Sequence, residues 1–388
     1  MSRADRWRNV WDARDAARRR LPRAFFEFLD RGTEDETVMA SNRAALDATR
    51  LCPGILTDVR TVDTGADIFG RRAAFPAAIA PTGSAGLLAF RGELMVARAA
   101  GRAGIPYTLA TSSTSTIEDI AAAATAGFWL QLYVWEDREA SLAVARRAAD
   151  AGAEALLVTV DTPVMANREY NDRNGFASPI RPHPRLAFDI LSHPRWSLDV
   201  LGAYWRTGGM PRFVNYPPEA SGPVTAARPR RANAADVTWD DVALFRDRWP
   251  GRLVLKGLLR PEDAARAVTL GVDGVVVSNH GGRMFDPAPA SLDALPGIVD
   301  AIGGSATVLF DGGIRRGSDI LRARALGADA VLLGRAPLYG VAAAGEAGVD
   351  RVLALLREET ERCLSLLGRT TAAAVDRTCL WPSGTGST

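Results

Sequence analysis

Lysine is almost missing from this 388-residue chain: Lys256 is alone among 47 Lys+Arg side chains. Every other long cation is arginine, and most of the arginines read as solvated surface. Net charge is only +2, with 45 Asp+Glu spread among the arginines, so no basic face speaks for nucleic acid and no charge block for an acidic partner. Cysteine is scarce too. Cys52, Cys363 and Cys379 stand far apart with neither a CxxC nor a metal-ligand spacing, which argues against a disulfide framework or a zinc site and fits reduced thiols. No run of 18 uninterrupted apolar residues occurs, and the first 22 residues lack an apolar core of signal-peptide length. A cytoplasmic protein is expected, one that at most touches the inner membrane face peripherally.

Apolar surface is abundant: 47% of residues are hydrophobic, enough for a globular chain whose disorder is confined to its ends. Residues 1–70 read as a helical segment. There "WDARDAARRRLPRAFFEFLDRG" forms one apolar stripe ending at Gly32, and "ETVMASNRAAL" follows as a second helix. From residue 75 the pattern changes to short apolar runs: 75–81, 105–111, 128–134, 155–161, 252–258, 274–280, 307–313 and 330–336. They are nearly continuous rather than alternating, as parallel strands buried on both faces require. Helical segments between them mostly end at glycine. Eight strand–helix units predict a (β/α)8 TIM barrel, α/β in class and a single domain over 1–388; a doubly wound sheet seldom needs eight.

One long insertion, 163–237, follows the fourth strand. Loops of that length are usually functional or mobile. In it Trp196, Val200, Leu201, Tyr204 and Trp205 recur at helical spacing, which suits a lid, an oligomer contact, a peripheral membrane contact through 186–205, or plain packing against the barrel.

Catalytic groups in such a barrel come from the C-terminal ends of the strands. Those ends carry Pro81, Thr82 and Gly83, then Ser112, Gln131, Tyr133, Thr159, Asp161, Lys256, Ser278, His280, Asp311, Gly313, Gly334 and Arg335. The chain has three histidines, and His183 and His193 lie beside prolines in the insertion. A lone histidine is more often structural than catalytic. His280, at a strand end and followed by Gly-Gly-Arg, reverses that expectation: imidazole is the natural base at neutral pH, and Asp161 could fix its tautomer. Glycine turns with Arg315 and Arg335 on the last two strands form a phosphate site, which glycine turns alone would not establish. Arg168 and Arg283 could converge on a substrate carboxylate, against the blander reading of two surface arginines. Phe28 and Tyr133 would wall the pocket.

The segments "LPRAFFEFLDRGTED", "APTGSAGL", "WLQLYV", "VTVDTP", "LVLKGLL", "VVVSNHGGR", "LFDGGIRRGSDI" and "LLGRAPLYGVAAAGEAGVDRVL" together resemble the FMN-dependent 2-hydroxy acid oxidases and dehydrogenases. Within that family the "PTG" and last-strand segments are most similar to the mandelate dehydrogenases and hydroxymandelate oxidases. The resemblance implies FMN as cofactor and oxidation of an (S)-2-hydroxy acid to the 2-oxo acid. His280, backed by Asp161, would take a proton as the C2 hydrogen passes to flavin N5. Arg168 and Arg283 would hold the carboxylate, and Tyr133 the hydroxyl or carboxylate edge. Pro81, Thr82, Gly83, Ser112, Gln131, Thr159 and Ser278 would touch the isoalloxazine or ribityl; Asp311, Gly313, Arg315, Gly334 and Arg335 would surround ribityl and phosphate. It also implies a homo-oligomer, a tetramer, and an electron acceptor that is oxygen, a quinone or a protein carrier.

Four departures bear on the substrate. Phe28 stands where many members place a tyrosine, Met284-Phe285 replaces Gln-Leu, "MANRE" lacks the common Gly-Arg before Arg168, and Ala110 replaces a frequent serine. The first favours a mandelate-like, aromatic or bulky substrate over lactate or glycolate. Lys256, flanked by "LVL" and "GLL", would be costly to bury unpaired. A flavin supplies the partner, because an ammonium favours the negative charge that reduction brings. The alternative is a Schiff-base lysine of an aldolase-like barrel.

Overall fold

A computed structural model describes residues 3–176, 180, 183–217, 221–225 and 234–382. Eight parallel strands close into a barrel: β1 (Ala77–Ile79), β2 (Tyr107–Ala110), β3 (Phe128–Tyr133), β4 (Ala155–Thr159), β5 (Arg252–Leu258), β6 (Gly274–Val277), β7 (Thr307–Phe310) and β8 (Ala330–Leu333). Each lies within one of the apolar runs and is buried almost throughout. Sequential strands are neighbours, and β8 closes on β1. The (β/α)8 expectation is met.

Register places the chemistry. Lys256 of β5 pairs with Thr159 of β4 on one side and Val276 of β6 on the other. The ladder then skips Gly257, since Val277 pairs with Leu258, so the strand end bulges at a residue with φ +112°. A Cβ on Gly257 would come within 2.6 Å of the Asp161 carboxyl carbon. Glycine there is what lets Asp161 stand at the barrel mouth.

The N-terminal segment differs from its expectation. The stripe that reads as one helix is broken at Leu21-Pro22 into α1 (Val10–Arg20) and α2 (Arg23–Asp30), because proline has no N–H for the ladder and its ring clashes with the preceding turn. After α3 (Thr37–Ala48) no helix continues to residue 70. An antiparallel hairpin, Ala66–Ile68 with Arg71–Ala73, comes next. Its Phe69 packs edge-on against Trp129 at 5.5 Å, beside the start of β3 and away from the mouth. The long helix Arg335–Leu366, broken at Ala344 and Gly345, packs on α1 and on helix Gly92–Ala103.

The insertion forms short helices at Glu169–Arg173, Pro184–Leu191 and Pro194–Trp196, a π-helical turn Ser197–Gly202, and helix Ala203–Thr207. Of the readings open to the stripe, packing against the barrel describes most of it. Trp196 and Val200 are fully buried, Trp196 Nε1 donates to the Leu87 carbonyl at 3.2 Å, and Leu201 and Tyr204 lie partly buried on the core. Phe188 and Leu191 of helix Pro184–Leu191, Leu198 in the π turn and Trp205 after it are exposed apolar groups, each at least 70% exposed.

Candidate active site

The strand ends converge on one cavity at the C-terminal mouth. Pro81, Thr82, Gly83, Ser112, Tyr133, Lys256, His280, Asp311, Gly313, Gly334 and Arg335 line it, with Arg168 from the insertion, Arg283 and Arg315 from the loops after β6 and β7, and Phe28 from α2. Four expected residues do not line it. Gln131 and Thr159 are buried and bonded to each other, Nε2 donating to Oγ1 at 2.9 Å. Ser278 and Asp161 stand behind Lys256 and His280. Ala110 and Phe285 take no part in the lining, and Phe285 is exposed. His183 and His193 are also outside the cavity.

Three successive residues after β6 have left-handed backbone: His280 (φ 59°), Gly281 and Gly282. Gly282 needs no other explanation, because a Cβ there would lie 2.9 Å from the backbone of Met39 in α3. His280 has no glycine's freedom, and a strained histidine at a strand end is typical of a functional site. The turn is held by the His280 N–H donating to Ser278 Oγ at 3.0 Å. It sets Nδ1 at 3.1 and 3.2 Å from the two Asp161 oxygens. Burial alone would raise the Asp161 pKa. The charge and hydrogen bond of His280, with the Lys256 ammonium, outweigh it and hold the carboxyl below its ordinary range. Asp161 is thus a carboxylate at neutral pH and takes the Nδ1 hydrogen bond, which leaves Nε2 as the ring nitrogen free to meet a substrate. Burial, then Tyr216 and Asp161, push the Tyr133 phenol well up, so it stays a donor.

Lys256 finds its first partner within the chain. Nζ lies 2.8 Å from Asp311 Oδ2 and donates to Ser278 Oγ at 2.8 Å, while Ser278 Oγ donates to Asp311 Oδ1 at 2.6 Å. The sole lysine is therefore buried as an ion pair rather than left for a ligand to neutralise.

The arginines are another matter. Burial, then the charge of Arg168, lowers Arg283 to about 10; burial, then the charge of Arg283, lowers Arg335 to about 10. Burial lowers Arg168 as well. Their hydrogen bonds go to backbone carbonyls: Arg168 to Arg283, Arg283 to Phe28 and Arg31, Arg335 to Leu29, Gly281 and Arg31. Arg168 Nε and Arg315 Nε are buried with no partner. Arg315 lies over Trp11 and Tyr339 at 5.9 and 5.5 Å. Arg283 and Arg335 remain charged at neutral pH, and buried positive charge of this kind is costly unless an anion compensates it. A phosphate beside Arg315 and Arg335 and a carboxylate between Arg168 and Arg283 would do so. The donor set therefore fits FMN together with an anionic substrate.

The wall also contains Leu88, Ile314, Leu332 and Leu338, none of which the sequence reading singled out. Apolar side chains carry no chemical signature, and only their placement in the fold reveals them.

Comparison with known proteins gives the family. Residues 17–382 match the family model for FMN-dependent dehydrogenase. The chain is 42% identical over 372 residues to an L-lactate dehydrogenase of Caulobacter vibrioides, covering 95% of this chain and 96% of that one. It is 41% identical over 362 residues to the (S)-mandelate dehydrogenase of Pseudomonas putida, covering 93% and 90%. Among solved structures, the monotopic membrane protein (S)-mandelate dehydrogenase superposes with a TM-score of 0.91 at 39% identity, covering 97% of this chain and all of that one. A mandelate oxidase with (S)-2-phenylpropionate gives 0.80 at 40% identity, covering 95% and 97%. With the barrel, the anion-demanding cavity and these relatives in agreement, the chain belongs to the FMN-dependent dehydrogenase family and is an oxidoreductase of its 2-hydroxy acid class.

Proposed function

We propose that this enzyme oxidises a mandelate-like (S)-2-hydroxy acid, aromatic or bulky, to the 2-oxo acid, with His280 as base. The observation that carries the reading is His280, held by Asp161 from behind, sharing one cavity with Arg168, Arg283 and Phe28. FMN, when bound, supplies the two-electron acceptor for the C2 hydrogen. Arg168 and Arg283 bind and orient the carboxylate, and the Tyr133 phenol donates to the hydroxyl or carboxylate edge. Nε2 of His280 accepts the substrate proton, and Asp161 steadies the imidazolium. Lys256, in the cavity wall, would supply a fixed positive charge that favours the negative charge brought by reduction. Pro81, Thr82, Gly83 and Ser112 would hold the ring and ribityl, with Gln131, Thr159 and Ser278 supporting them from behind the lining, and Asp311, Gly313, Arg315, Gly334 and Arg335 the ribityl and phosphate.

Relatives named for lactate and for mandelate are equally similar, so overall identity does not choose the substrate. Phe28 supports the bulkier one: it lies 5.2 Å from the Arg283 guanidinium and offers an apolar face with no hydroxyl to bind a carboxylate. Anaerobic mixing with (S)-mandelate is expected to bleach the flavin at least about tenfold faster than (S)-lactate, the scale on which pocket contacts discriminate. Faster bleaching by lactate would favour the short-chain reading, and no bleaching by any 2-hydroxy acid would sink both. Family membership displaces the Schiff-base alternative.

The proposed assembly is a homotetramer that touches a membrane through the insertion. Among the described residues no helix is long and apolar enough to cross a bilayer, but Phe188, Leu191, Leu198 and Trp205 present an apolar outer face of the kind that lies in a lipid interface. A membrane quinone is the acceptor that suits such a face, with oxygen or a protein carrier as the others. Leu198→Glu/Trp205→Glu is expected to cut sedimentation with phosphatidylglycerol vesicles at least about tenfold and to leave flavin reduction unchanged. Undiminished sedimentation would remove this face from consideration.

A further inference from the structure

Helix α2 brings to the cavity what the barrel itself does not. Phe28 forms a wall, and the carbonyls of Phe28 and Arg31 accept from Arg283 Nη1 at 2.8 and 3.0 Å. These groups lie at the C-terminal end of α2, the negative end of the helix dipole. They face a guanidinium whose charge burial disfavours. The position of α2 along its own axis therefore fixes where the Arg283 fork sits.

The other end of α2 has no cap of its own. Pro22 stands at the N-cap without a side-chain acceptor, and the first helical N–H groups need one. Asp189, in the insertion helix Pro184–Leu191, supplies it: Oδ1 accepts from the Arg23 N–H and Oδ2 from the Ala24 N–H, both at 3.0 Å. A carboxylate at a helix N-terminus is stabilising both as an acceptor and as a charge. The insertion also grips α2 sideways, with Phe176 and Trp196 packed on Phe25 at 4.9 and 4.4 Å.

We propose that Asp189 is a positioning residue for the substrate site. From outside the barrel it seats α2, and through the terminal carbonyls of α2 it aims Arg283. The inference rests on the reading that Arg283 binds the substrate carboxylate, and one titration separates the two. Benzoylformate, a 2-oxo acid that cannot reduce the flavin, is titrated into oxidised holoenzyme and followed by flavin absorbance. Asp189→Ala is expected to raise its Kd about tenfold, the scale of a lost helix cap, and to raise KM for (S)-mandelate alike with kcat within about twofold. Asp189→Asn, which keeps an acceptor oxygen, is expected to stay within about threefold of the native Kd. An unchanged Kd in Asp189→Ala, or Asn as weak as Ala, overturns the positioning role. Arg283→Lys is measured in parallel. If it weakens benzoylformate and Asp189→Ala does not, only the positioning role falls; if Arg283→Lys has no effect, the carboxylate reading falls and takes the inference with it.

Discussion

His280→Asn is expected to retain its flavin and to lose at least about a thousandfold in the rate of anaerobic reduction by (S)-mandelate, as when a base acting as part of a unit is removed. Asparagine is the informative replacement because position 280 has φ 59°, a conformation that asparagine tolerates better than most side chains. The turn into Gly281 and Gly282 should therefore survive. The amide can still donate toward Asp161, but no atom of it takes up a proton near neutral pH. Stopped-flow reduction, with flavin content measured from the absorbance spectrum, checks the prediction. Near-native reduction would assign the base to another group.

The second large effect concerns Lys256. Lys256→Met leaves Asp311 buried with Ser278 as its only remaining partner in the triad, and breaking a buried pair by removing one member costs about 3–5 kcal/mol. Urea denaturation of the apoprotein is expected to show that loss. Removing both charges, as Lys256→Met/Asp311→Leu, should recover most of it, because no uncompensated carboxylate remains. FMN affinity should stay weak in both variants, since the cavity has lost its ammonium. Lys256→Arg tests shape rather than charge. A planar guanidinium is too broad for the space between Ser278 and Asp311, so FMN should bind poorly or be harder to reduce. Normal FMN affinity and turnover in that variant would refute the role given to Lys256.

Strand content was readable in advance because each barrel strand is buried on both faces and so appears as a continuous apolar run. Helical stripes were less dependable. Pro22 broke one that periodicity joined, and a π turn at 197–202 interrupted another, in which Trp196 and Val200 face inward while Leu198 is exposed. Such a turn has no local signature in a sequence. The charged and polar site residues were legible for a chemical reason: arginine, histidine, aspartate and lysine at strand ends are expensive to bury without a task. Leu332 and Leu338 had no such mark.

Local pattern alone thus established eight buried strands, the polar groups at their ends and the scarcity that singles out His280 and Lys256, since period and composition are properties of the chain itself. Partnership came from the closed barrel. The bulge at Gly257 lets Asp161 reach His280, register brings Lys256 to Ser278 and Asp311, and α2 is capped by Asp189 from a distant part of the chain. Each is a contact between residues far apart in sequence, and a side chain does not encode which distant group the fold will set within 3 Å of it.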